Sequence, residues 1–148
     1  MDCSSLIDRY EAGGQKIKQT IAGLTRADLT AFPVPGMWSI QQVVSHLQDS
    51  ELVAIDRMKR IIAEEKPLLI GYDENEFVKN LFYDDQSVED AAETVDRARR
   101  QMARILRKLP ESAFARFGIH NERGKVTLGE QLELYTNHLE RHLKFAQE

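Results

Sequence analysis

Four stretches of this chain repeat apolar residues at three- and four-residue spacing, and three of them open on a helix-capping signature, which confines the fold to packed helices. The first stretch runs from about Ser4 to Leu24, with Leu6, Tyr10, Gly13, Ile17, Ile21 and Leu24 on one stripe. Gly13 and Gly14 lie on or beside it, where a missing side chain lets a neighbouring helix approach closely. The Pro- and Gly-rich turn "FPVPGMW" follows. Ser39 and Gln42 form a capping box that opens a second helix to about Glu65, closed by Pro67, with Val43, Leu47, Ala54, Met58 and Ile61 inward. Ser87 with Asp90 starts a third helix, in which Ala91, Val95, Ala98, Met102, Ile105 and Leu109 keep the spacing to Pro110. Thr127 with Glu130 starts a fourth, with Leu128, Leu132, Tyr135, Leu139 and Ala146 inward.

Residues 66–86, "KPLLIGYDENEFVKNLFYDDQ", are too irregular for a long helix and predict a packed crossover or lid with a short helix around Glu74 to Asn80. The stretch "FGIHNERGKVT" predicts a small irregular hairpin. The expected fold is therefore an all-α, four-helix bundle with one long connection between its second and third helices, in a single domain over residues 1–148. The size, 148 residues with 42% hydrophobic and 30% charged, suits one core.

The net charge of −4 comes from interspersed acids and bases, so nothing pulls the chain towards nucleic acid or an anionic membrane surface. No segment reaches the roughly 20 apolar residues of a bilayer span, and "MDCSSLIDRY" lacks the pattern of a secretory signal, so a cytoplasmic location is expected. Cys3, the one cysteine, has no internal disulfide partner and reads as a reduced thiol.

Polar residues inside an apolar arc carry the functional information, because burial costs free energy unless a partner satisfies them. In "NHLERH", His138 and His142 stand four apart within the arc of Leu128, Leu132, Tyr135 and Leu139, so both imidazoles can converge on one interior point. Zinc and nickel favour neutral imidazole, and a catalytic zinc site uses three protein ligands with one open position. His46, on the second helix in "VVSHLQDSE", is the candidate third ligand. His120 falls in the connection before the fourth helix and is assigned no closer role than lining a pocket. The competing reading is that the histidines are ordinary core residues.

Glu51 and Arg99 also interrupt apolar arcs. They either form a buried ion pair, or Arg99 anchors a substrate carboxylate while Glu51 or Asp49 orients a histidine or acts as general base. Trp38 is expected to pack over the end of the bundle.

In order, "WSIQQVVSHLQDSE", "YDENEF" and "HNERGKVTLGEQLELYTNHLERH" resemble the DinB-like proteins, and within them the YfiT-like group of metal-dependent hydrolases and bacillithiol transferases. The resemblance implies a commonly dimeric four-helix bundle whose three-histidine site for a divalent metal such as nickel or zinc maps onto His46, His138 and His142. It further implies a small-molecule substrate attacked by water or by a low-molecular-weight thiol, bacillithiol or mycothiol. The chain departs from the pattern in carrying Glu51 where a further histidine can stand, and in ending "RHLKFAQE". The alternative from another class is a dimeric, metal-binding or stress-associated bundle without catalysis, favoured by a closed coordination shell and disfavoured by an open one.

Overall fold

In the computed structural model, residues 3–32 and 37–146 are described, with side chains as far as Lys144. Residues 33–36 of the Pro- and Gly-rich turn, and the inward placement expected of Ala146, lie outside that set. Seven α-helices occur among the described residues: α1 (Ser4–Glu11), α2 (Gly13–Ile21), α3 (Arg26–Thr30), α4 (Ile40–Ala63), α5 (Glu74–Asn80), α6 (Val88–Lys108) and α7 (Leu128–Ala146). Three short strands join them: β1 (Leu68–Leu69), β2 (Phe117–His120) and β3 (Gly124–Thr127). The four-helix bundle is formed by α1 with α2 as one broken arm, and by α4, α6 and α7. The broken arm and α4 each pack against both α6 and α7.

The capping signatures begin the long helices where expected. Ser39 Oγ accepts from Gln42 N–H, and Gln42 Oε1 accepts from Ser39 N–H, closing the box at the head of α4. Ser87 Oγ accepts from Asp90 N–H before α6, and Thr127 Oγ1 from Glu130 N–H before α7. The short helix in the crossover is α5, capped by Asp73, whose carboxylate accepts from the N–H groups of Asn75 and Glu76. The hairpin is β2 with β3, antiparallel, and Gly124 turns it at φ +76°.

Four features differ from the sequence expectation. The first helix is not continuous to Leu24: it breaks at Ala12 (φ −70°, ψ −10°) and ends at Ile21. The extra helix α3 opens on a capping box between Thr25 and Asp28, a five-residue element too short to show periodicity. Strand β1 has only two residues and adds in parallel to β2, pairing Leu68 with Ile119 and Leu69 with His120. Ile105 also faces out, 37% exposed, while Leu106 takes the inward position on α6.

The apolar core falls into two parts. One holds Leu6, Ile7, Ala54, Met58, Ile61, Met102, Leu106, Leu128 and Leu132; the other holds Ile17, Val43, Val44, Leu47, Ala91, Val95, Leu139 and Leu143. Between them every arm of the bundle carries a small or polar buried residue: Gly13 and Gly14, then Ser50 and Glu51, then Asp96 and Arg99, with Thr136 and the half-buried His138 on α7. The glycines let the first arm close on α6. A Cβ on Gly13 would fall 2.4 Å from Arg99 Nη1, and one on Gly14 would fall 2.2 Å from the Cα of Asp96.

Gly14 thus sits directly against the backbone of α6, which has no flexible end to yield. Gly14→Ala is expected to lower stability by about 2 kcal/mol or more, because the two helices must separate. Chemical denaturation measures this. A midpoint unchanged from wild type would show that the helix pair is not packed as described.

Candidate metal centre

His46 is on the second turn of α4, and His138 and His142 are one turn apart on α7, which packs against α4. Their positions on facing helices bring all three rings together. The Nε2 atoms of His46 and His138 are 3.3 Å apart, and those of His138 and His142 are 3.1 Å apart. One nitrogen from each ring lies within 4.8 Å of the other two. Among the described residues this is the one group of three or more histidine, cysteine or carboxylate side chains that converges closely enough to hold an ion.

Burial sets the electrostatics. The His46 ring is held down to about 4, first by burial and then by His142. That of His138 is pushed down to about 3, by burial and by both neighbouring rings, and His142 is lowered by burial and by Arg141. All three are therefore neutral near pH 7, with lone pairs available for a cation. Trp38 covers the cluster from one side, edge-on to His46 at 4.9 Å and stacked with His142 at 6.3 Å. The Nδ1 of His46 is buried without a partner among the described residues.

On its other side the cluster faces a cavity of about 520 Å³, of which His138 and His142 form part of the wall. The small sheet builds the opposite wall. Leaving β1, the chain passes Gly71 and Tyr72 into α5, while the end of β2 supplies His120. From the first turn of α5, Glu74 brings Oε2 to 3.6 Å from His46 Nε2. Glu74 is the carboxylate that sequence reasoning missed as a site residue. Its sequence signals were a place in the irregular crossover and in the family-like stretch "YDENEF", neither of which indicated which way α5 would fold back.

The other nominated residues lie elsewhere. Arg99 is 2% exposed: Nε donates to Glu51 Oε1 at 2.5 Å, Nη1 to the Tyr10 carbonyl at 2.9 Å and Nη2 to the Tyr135 carbonyl at 3.1 Å. The second oxygen of Glu51 accepts from the Tyr10 hydroxyl at 2.7 Å. The ion-pair alternative is the one observed, and it corrects the reading of Arg99 as a substrate anchor and of Glu51 as a base. Both are consumed by protein partners in the bundle interior. Asp49 accepts from the Tyr83 hydroxyl at 2.6 Å, tying α4 to the end of the crossover, and it stands outside the histidine group. Tyr83 is raised well above an ordinary phenol by burial and by Asp49.

Comparison with known proteins bears on this geometry. The sequence profile described as DinB superfamily matches residues 9–146. The chain belongs to the DinB superfamily. Within it, this DinB protein is 29% identical over 137 residues to an Oceanobacillus iheyensis protein named "Putative metal-dependent hydrolase", covering 93% of this chain and 79% of that one. It is 27% identical over 129 residues to Bacillus subtilis YfiT, which bears the same description, covering 86% and 72%. The solved structure of YfiT, described as "a probable metal-dependent hydrolase with an unusual four-helix bundle topology", superposes with a TM-score of 0.89 at 26% identity, over 94% of this chain and 80% of that one. A mycothiol-dependent maleylpyruvate isomerase shares the fold of this DinB protein, with a TM-score of 0.74 at 12% identity, over 97% of this chain and 60% of the isomerase. No helix among the described residues is long and apolar enough to cross a membrane.

Proposed function

We propose that this DinB protein is a metal-dependent hydrolase in which His46, His138 and His142 hold one divalent ion, zinc or nickel, at the wall of the cavity. The observation that carries the proposal is the convergence of the three Nε2 atoms. Two nitrogens bound to one tetrahedral zinc at about 2.05 Å lie about 3.3 Å apart, and the separations in the structure are 3.3 and 3.1 Å. A cation also gives all three neutral nitrogens one common partner, whereas a hydrogen bond between rings satisfies them only two at a time. A bound divalent ion lowers the pKa of a water or thiol at its open position and polarises a substrate carbonyl.

The protein's own groups do the rest. Glu74 is half-exposed beside His46, placed to take a proton from the nucleophile and return it to the leaving group. Trp38 packs on the rings of His46 and His142 and limits water around them. With Glu51 and Asp49 engaged by other residues, three protein ligands leave a position open, which supports an enzyme over a closed structural site. The relatives' description as metal-dependent hydrolases favours water as the nucleophile. A low-molecular-weight thiol at the same position is the competing one.

The test is elemental analysis of protein purified without a metal-affinity tag, followed by turnover of ester, amide and halide electrophiles by stripped and reloaded protein, with and without added thiol. About one zinc or nickel per chain, and metal-dependent hydrolysis without thiol, are expected. Turnover only with thiol would replace hydrolysis by S-transfer. No bound metal, even after incubation with either ion, would remove the proposal.

A further inference from the structure

The cavity wall beside the histidine cluster carries two side chains that the proposed chemistry leaves unused, Tyr135 and His120. Tyr135 stands on α7, three residues before His138. Its hydroxyl oxygen accepts from Arg57 Nη1 at 2.7 Å, and Arg57 is itself fixed by donation from Nη2 to the Ile70 carbonyl at 2.7 Å. A phenol oxygen that already receives a guanidinium proton has its own O–H to give. His120 is set in the same sense by the turn after β2. Its Nδ1 accepts from the backbone N–H groups of Glu122 at 3.1 Å and Arg123 at 3.2 Å, so the neutral ring carries its hydrogen on Nε2. Gly71 leaves that edge open: a Cβ there would stand 3.2 Å from His120 Cε1 and 3.4 Å from Nε2.

We propose that this wall is a subsite for a carboxylate of the substrate, contacted by Tyr135 Oη–H and His120 Nε2–H, with Arg57 as the positioning residue behind Tyr135. The wall favours donation, because the Nδ1 lone pair of His120 is taken by backbone N–H groups and the Tyr135 oxygen already accepts from Arg57. The surrounding charge agrees. Arg57, Arg123 and Arg141 all line the cavity, and among the described residues none of them has a carboxylate within ion-pair distance. Elsewhere Arg9, Arg60, Arg97, Arg99, Arg100 and Arg107 are each paired with an acid, while Arg26 and Arg116 donate to amide or carbonyl oxygens. In a chain of net charge −4, three such cations around one cavity are a concentration of positive field at the place a ligand enters. Glu74 and Glu122 share the cavity and do not neutralise them by contact. Two donors backed by one cation suit a planar two-oxygen group, and the cavity has the size of a small-molecule site.

The substrate class rests on the proposed function, but the binding geometry does not, and calorimetry on metal-free protein separates the two. The probes are benzoate, its neutral isostere benzamide, and phenyl phosphate. Benzoate is expected to bind about tenfold or more tightly than benzamide, and Tyr135→Phe to weaken benzoate about tenfold while leaving benzamide unchanged. Gly71→Ala, at a position whose φ suits any residue, is expected to weaken benzoate as well by crowding His120. Equal affinity for benzoate and benzamide, absence of benzoate binding, unchanged benzoate affinity in both variants, or a preference for phenyl phosphate would each overturn the carboxylate assignment. Failure of the metal reading shows instead as no zinc or nickel in a wild type that still discriminates benzoate from benzamide.

Discussion

Replacing His138 by alanine is expected to abolish stoichiometric metal binding while leaving the bundle folded. His138 is the middle of the cluster, with its Nε2 within 3.3 Å of His46 and 3.1 Å of His142, so its loss leaves two nitrogens on different helices. Removing groups that merely orient a ligand lowers metal affinity about 10- to 100-fold, and removal of a ligand should cost at least that much. The fold has independent support from the apolar clusters above and below the site. Thermal melts provide a second readout, since a ligand present at about a thousandfold over its dissociation constant stabilises by about 4 kcal/mol. A chelator should therefore lower the melting temperature of wild type and leave that of His138→Ala unmoved. Full metal occupancy in the variant would place the ion elsewhere.

Glu51→Ala is expected to be the most damaging single substitution for stability, at about 3–5 kcal/mol. It leaves the Arg99 guanidinium buried with only the Tyr10 and Tyr135 carbonyls for company, and it deprives the Tyr10 hydroxyl of its acceptor. The guanidinium also lies over the Tyr10 ring, 4.3 Å from its centroid, and cannot swing to solvent without vacating that contact. A loss on this scale is a large part of the roughly 5–15 kcal/mol that holds a typical domain together. Combining Glu51→Leu with Arg99→Met should recover most of it, because no unpaired charge then remains in the interior. Urea denaturation of the three proteins decides the matter. A loss below about 1 kcal/mol for Glu51→Ala would mean that Arg99 escapes to water.

Local signals in the sequence were enough for the helix starts. Ser39 with Gln42, and Ser87 with Asp90, are contacts between near neighbours, and the structure makes them. The inward placement of His46, His138 and His142 was legible for a related reason, since periodicity assigns a residue to a face. Periodicity does not say what that face meets. Arg99 and Glu51 were both visible as inward, yet their pairing follows from the height at which α6 passes α4. Glu74 and His120 gained their places through the crossover and the three-stranded sheet, whose first strand has two residues and no pattern of its own. The break at Ala12 was hidden because the spacing of Leu6, Tyr10 and Ile17 is helical on both sides of it.

The polar band between the two halves of the core has one more effect. Helices joined by a uniformly greasy seam can ratchet past one another by a turn, about 5.4 Å, and still find oily partners. Here a one-turn slip of α6 would drive Arg99 into a layer of methyl groups and set Asp96 away from Lys18. The bundle is keyed, as a lock is by a single ward, and the relative height of α4 and α7 is settled by that key. The histidines on those two helices arrive opposite each other because of a pairing they take no part in.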